Sequence, residues 1–264
     1  MIDPSAQIHK SAIIEDGATI GANCVIGPFS LVGPEVVLAE GVILKSHVVV
    51  TGDTHIGAET EIYPFSNIGD IPQDLKFGGE KTKLRIGARN RIREGVTMNT
   101  GTDGGGGLTK VGDDGLFMTG AHVGHDAIVG DRVILANQAA LAGHCIVDDD
   151  VIIGGLSGIH QFVRLGKGAI IGAVTMVTND VIPYGLVQAP RGELSGLNLV
   201  GLKRKGVARE DITALRAAYQ MLAQGDGAFQ ERAKRLKEET TSDYVSDIVD
   251  FVLGETGRSY LTPN

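Results

Sequence analysis

The sequence predicts a mainly β chain wound as a three-sided parallel β-helix, followed by a small α-helical domain. Three observations predict it. An aliphatic residue recurs every six positions, a small or β-branched residue holds the fifth place of most hexads, and 38 of 264 residues are glycine while aromatics make up only 5%. A period of six fits neither an amphipathic helix nor a plain strand. It fits a polygon: six residues give one short strand and a turn, three sides close a coil of about 18 residues, and coils stack at the ~4.8 Å strand spacing. The aliphatic and the small residue both face inward and fill the prism without aromatics.

The first run of hexads starts at Ile8, Ile14, Ile20, Ile26 and Val32 and continues to Ile62 and Ile68. The frame returns at Ile86, Ile92 and Met98, slips by one residue, and resumes from Val111 and Phe117 to Ile171 and Val177. Of these 26 aliphatic or apolar positions, 12 are followed by glycine, which suits a corner needing either an unusual φ or close backbone approach. Two segments interrupt the coils, 70–85 (DIPQDLKFGGEKTKLR) and 101–110 (GTDGGGGLTK), and loops thrown out of a solenoid tend to carry function. The glycine run in the second is not a P-loop, because GxxxxGK[ST] is absent.

After Pro183 the period stops. Residues 209–224 place Ile212, Leu215, Ala218, Tyr219 and Leu222 at helical spacing, and 228–253 read as a second helical stretch with Phe229, Leu236, Tyr244, Ile248, Phe251 and Val252. We expect a β-helix over 1–190 and a helical domain over 191–264 that caps the open end of the prism. The segment 198–206 before it (NLVGLKRKG) holds the only dense cationic cluster, either a solvated helix end or a phosphate grip.

Acidic residues outnumber basic ones 32 to 24, which argues against broad nucleic-acid binding. No run of 18 uncharged apolar residues occurs and the N-terminus lacks a signal-peptide pattern, so we expect a cytoplasmic protein without membrane insertion. Cys24 and Cys145 both take the inward fifth place, six to seven coils apart at about 30 Å, so packing rather than a disulfide is expected.

Four of the seven histidines fall in one five-residue arc of the coil. His122 and His125 share a coil, His144 lies one coil on and His160 two, spanning about 10 Å along one edge. Zinc would need three neutral imidazoles converging on it. Proton transfer needs one imidazole and a carboxylate to fix its tautomer, and His125 with Asp126 supplies both. Gly143 lies one coil beyond His125, so its N–H can face an oxyanion. With no serine or cysteine nucleophile nearby, base and oxyanion donor suggest direct acyl transfer to a hydroxyl or amine.

The hexads resemble those of the left-handed parallel β-helix acyltransferases. The stretches NRIREGVTM (90–98), GGGLTKVG (105–112), AHVGHD (121–126), LAGH (141–144), HQF (160–162) and GLKRKG (201–206) are similar to the UDP-N-acetylglucosamine acyltransferases of lipid A biosynthesis, over essentially the whole chain. The resemblance implies the left hand of the prism and a homotrimer. The reaction it implies moves a 3-hydroxyacyl group from acyl carrier protein to the 3-position of the sugar of UDP-N-acetylglucosamine. No metal or cofactor is implied beyond the carrier-protein thioester. It makes His125 the general base, Asp126 its support and the Gly143 N–H the oxyanion donor. Asp74 and Lys76 would reach the substrate from a neighbouring subunit, and His122, His144, His160 and Gln161 would line the sugar and acyl cleft. Asn198 and Arg204 would hold uridine and diphosphate, and Ala173, where relatives carry glycine, would mark the floor of the acyl groove. Relatives have histidine where this chain has Asn99, which keeps a 3-amino sugar open as acceptor, and a glutamate beside the uridine where this chain has Val200. The rival readings are an acetyl-CoA-dependent hexapeptide acetyltransferase, a zinc hydratase on the same prism, and a scaffold without turnover.

Overall fold

A computed structural model describes residues 1–188, 193–254 and 259–262. Its prism is built from strands mostly two residues long, each paired in parallel with the strand one coil away on the same face. Face I runs from Gln7–Ile8 to Gly185–Gln188, face II from Ile13–Ile14 to Met176–Val177, and face III from Thr19–Ile20 to Arg164–Leu165. Register confirms the coil: Val25 pairs with Ile43, and Ile43 with Glu61, eighteen residues per step.

Both interruptions are simple excursions from this ladder. Asn67 pairs with Thr97, thirty residues on and twelve more than one coil, so the chain leaves the prism over residues 71–82. Lys83–Ile86 is back on face III, inside the segment read from sequence as loop. Thr97 pairs with His122, seven more than one coil, which puts the second excursion at 101–107. Twelve is a multiple of six and seven is not. The sequence frame therefore survived the first loop and slipped at the second.

The inward aliphatics and their fifth-place companions form one continuous core, with Ile26, Leu44, Ile62, Val123, Leu141 and Ile159 at 2% exposure or less. Burying each such side chain is worth roughly 1.5–3 kcal/mol, so the stack of near-identical coils carries the stability. Cys24 and Cys145 are buried in this core, far from one another, the Cys24 thiol donating to the Ala39 carbonyl at 3.0 Å and the Cys145 thiol to the His160 carbonyl at 3.3 Å. Close approach explains the glycine after the aliphatic, and φ is positive only at Gly69 among those twelve. A Cβ on Gly21 would lie 2.8 Å from the Ala39 carbonyl carbon and 2.9 Å from Glu40 N. Positive φ falls two residues later in the hexad and is borne by Asn23, Phe29, His47, Asp126, His144 and Phe162, among others.

Beyond Pro183 the chain makes one more face I strand, Gly185–Gln188, which pairs antiparallel with Glu193–Leu197. The expected boundary at 190/191 lies outside the described residues. Among the described residues four helices follow: α1 (Leu199–Arg204), α2 (Arg209–Gln224), α3 (Phe229–Glu239) and α4 (Asp243–Leu253). The second helical stretch is thus two helices, broken at Thr240-Thr241-Ser242, residues that prefer caps and turns to helix interiors. The helices dock on the last coils: the Arg164 guanidinium lies 4.5 Å above the Phe251 ring, and the Tyr184 hydroxyl donates to Asp247. Among the described residues, no helix is long and apolar enough to cross a membrane.

Candidate active site

The edge between faces II and III carries the histidine arc. Each coil contributes a two-residue turn there. The turns stack as His125-Asp126, Gly143-His144 and Gln161-Phe162, tied by His144 N–H to the His125 carbonyl and Phe162 N–H to the Gly143 carbonyl. The second residue of each turn has φ near +60° (58° at Asp126, 61° at His144, 65° at Phe162), which fixes where its side chain leaves the edge.

His125 Nδ1 lies 2.8 Å from Asp126 Oδ2. An ionised carboxylate only accepts, so this bond places the proton on Nδ1 and leaves the Nε2 lone pair free. Both residues are buried. A Cβ on Gly143 would fall 2.5 Å from His125 Cε1 and Nε2, so the free nitrogen faces the Gly143 backbone with only hydrogen between. The Gly143 N–H itself donates to no partner among the described residues. The opposite edge shows why this is unusual. There the N–H groups of Ala88, Asp113 and Asp131 each bond the aspartate Oδ1 one coil ahead, at 2.8–2.9 Å. At the histidine edge the residue one coil beyond Gly143 is the exposed Gln161, which makes no such bond.

The His144 ring meets His125 edge-on at 4.9 Å and stacks on Phe162 at 4.4 Å and 6°. Burial pushes its imidazole down from the usual value, opposed by the Asp126 carboxylate. His122 is pushed down the same way, by burial and by neighbouring His125, and its Nδ1 meets Thr97 Oγ1 at 2.7 Å. His160 and Gln161 are exposed on the same edge. The edge therefore sets His122 and His144, whose protonation burial disfavours, around the oriented imidazole of His125. His125, Asp126 and His144 also bring three metal-type donor atoms within 4.8 Å of one another. Asp126, however, already accepts from Thr102 N at 2.8 Å and Thr102 Oγ1 at 2.6 Å as well as from His125. A cation there would have to displace those donors.

The remaining sequence-predicted residues divide by edge. Asp74 and Lys76 are in the 71–82 loop, where Asp74 Oδ1 accepts from Lys76 N at 3.0 Å. The Asp74 charge bears on His144 of its own chain. Asn99 is buried at the root of that loop, donating to the Ile71 carbonyl at 2.9 Å, so its amide anchors the loop. Ala173 is exposed on the edge between faces I and II, away from His125. Asn198 caps α1 through Gly201 N and donates to the Gly168 carbonyl, which places it on the edge between faces III and I. Exposed Arg204 ends that helix. Here Lys205 pairs with Asp150 at 2.6 Å beside a cavity of about 710 Å³ lined by Asn198, Lys167, Tyr184 and Asp247. One chain thus unites His125, Asp126, Gly143, His144 and His122, and leaves Ala173, Asn198 and Arg204 on other edges. Sequence reasoning missed Thr97, Thr102 and Phe162. Only Phe162 had a signal, its place one coil beyond His144.

The chain is 48% identical to the acyl-(acyl-carrier-protein)–UDP-N-acetylglucosamine O-acyltransferase of Rhizobium johnstonii, over 99% of this chain and 97% of that one. This chain belongs to that acyltransferase family. It shares 63% identity with the Paracoccus denitrificans member over 77% of each chain. The UDP-N-acetylglucosamine acyltransferase from Campylobacter jejuni superposes with a TM-score of 0.92 at 35% identity, covering 98% of this chain and all of that one. Family models match residues 17–52 as bacterial transferase hexapeptide repeats and 180–260 as domain 2 of UDP N-acetylglucosamine O-acyltransferase. The prism is the left-handed parallel β-helix of these acyltransferases.

Proposed function

We propose that this chain transfers a 3-hydroxyacyl group from acyl carrier protein to the 3-hydroxyl of the sugar of UDP-N-acetylglucosamine, the first step of lipid A biosynthesis, in the cytoplasm. The observation that carries the mechanism is the Nε2 of His125, oriented through Nδ1 by Asp126 and facing the backbone of Gly143, whose N–H has no acceptor among the described residues. His125 Nε2 takes the proton of the attacking hydroxyl as its oxygen bonds to the thioester carbonyl carbon. The carbonyl oxygen becomes an oxyanion held by the Gly143 N–H. When the intermediate collapses, the C–S bond breaks, the imidazolium returns the proton to the leaving thiol, and the ester remains. Asp126 stabilises the imidazolium between the two transfers. The balance closes without metal or redox cofactor, and the carrier-protein thioester is the only activated group required.

The placement of Asn198 and Arg204 on a different edge from His125 supports a homotrimer in which each cleft joins two chains. The test of the base is His125→Ala. We expect kcat to fall by ~10²–10⁴-fold with a smaller change in KM. A variant within tenfold of wild type removes His125 from the mechanism.

A further inference from the structure

We propose that the glycine-rich excursion 101–107 is a positioning device for the His125–Asp126 pair, and that Thr102 is its working residue. The proposal deepens the reading of His125 as general base and rests on it. Thr102 opens the short 3-10 turn Asp103–Gly105, where a threonine hydroxyl ordinarily caps the turn it precedes. Here it makes no cap bond. The hydroxyl instead donates to Asp126 Oδ2 at 2.6 Å, and the backbone N–H of the same residue donates to Oδ1 at 2.8 Å. One residue therefore grips both oxygens of the carboxylate. The Thr102 carbonyl in turn accepts Gly105 N–H at 3.1 Å and Gly107 N–H at 2.7 Å, which folds the loop back on its own root.

The glycines of the run follow from this grip. A Cβ on Gly101 would come 2.7 Å from Asp126 Oδ1, and one on Gly105 would run into the Asp126 carboxylate. Their lack of side chains lets the loop backbone close over the carboxylate, whose side chain is 1% exposed. Asp126 is also held from the other side, its N–H donating to Thr109 Oγ1 at 2.8 Å. The carboxylate thus has one allowed orientation, with Oδ2 shared between Thr102 Oγ1 and His125 Nδ1. A hydrogen bond that an ionised group accepts in a buried site is among the stronger ones. Removing it frees the carboxylate to rotate, and with it the imidazole that must aim Nε2 at the substrate.

Steady-state kinetics with UDP-N-acetylglucosamine and a 3-hydroxyacyl carrier protein test this. Thr102→Val keeps the shape and loses the hydroxyl. We expect kcat to fall about tenfold, the usual effect of losing one charge-assisted hydrogen bond, with KM within about twofold. Thr102→Ser, which restores the hydroxyl, should return kcat to within about threefold of wild type. In an Asp126→Asn background, Thr102→Val should cost less than a further twofold, because groups acting as one unit are not additive. A wild-type kcat in Thr102→Val, a full tenfold loss on top of Asp126→Asn, or a loss that tracks a fall in folded protein by circular dichroism overturns the proposal. An active His125→Ala enzyme overturns both this proposal and the base assignment. An inactive His125→Ala beside a wild-type Thr102→Val overturns the loop's role alone.

Discussion

Gly143 meets two demands at one backbone position: its N–H has no acceptor among the described residues, and its bare Cα admits the His125 ring. Alanine there would place a methyl 2.5 Å from Cε1 and Nε2 of an imidazole that Asp126 prevents from retreating. We expect Gly143→Ala to lower kcat about 10²-fold by displacing the His125 ring, comparable with losing an oxyanion donor, and to lower the melting temperature as well through overpacking. A kcat within threefold of wild type would show that ring and backbone can part without cost. The imidazoles also set a pH dependence of stability. Burial holds His122 and His144 below the ordinary value of 6.5, so the unfolded chain binds protons that the folded chain refuses. Stability is therefore complete above about pH 6.5 and declines as the pH falls below it. Melting curves near pH 7.5 and 5.5 should show the lower Tm at acid pH, and His122→Gln should reduce the difference. An unchanged difference in that variant would assign the slope to other groups.

Each hexad is legible in sequence because each coil repeats the same contacts with its neighbours, so a local pattern reports a global fold. The aliphatic frame gave face, register and the histidine edge together, and His125 was found by its place in the period. Thr102 was invisible for the opposite reason: it lies in an excursion that the period does not reach, and only the folded loop brings it to Asp126. The break between α3 and α4 was hidden because the apolar spacing from Leu236 to Tyr244 runs through Thr240-Thr241-Ser242 without a change of rhythm. The antiparallel strand Glu193–Leu197 had no hexad to announce it, since its partner lies across a reversal of direction. Glycines divide along the same line. Gly21 is enclosed by the backbone of the next coil, whereas Gly104 in the excursion has nothing within 4 Å of a built Cβ. Gly21→Ala should destabilise by about 1–3 kcal/mol through overpacking against backbone, and Gly104→Ala should stay within about 0.5 kcal/mol. Chemical denaturation measures both, and equal midpoints would refute the close-approach explanation.

At the scale of the whole molecule, His125 and the helical domain's α1 occupy different edges of one prism. In a closed ring of three chains, each cleft would then take His125 from one chain and Arg204 from the next. Mixing inactive His125→Ala chains with inactive Arg204→Ala chains, followed by reassembly, should restore roughly a quarter of wild-type activity, the share of clefts left intact by random association. No recovery would place the complete site within a single chain. The ladder also makes the length of the protein a quantity with a grain. Since Val25 stands over Ile43 and Ile43 over Glu61, removing residues 25–42 takes out one whole storey, and everything above descends without turning. Removing six residues instead turns every later storey by a third of a revolution and carries His125 away from its edge. Insertions and deletions in the shaft are therefore tolerated in whole storeys or not at all, while 71–82 and 101–107 hang outside it like balconies whose length is free of that rule.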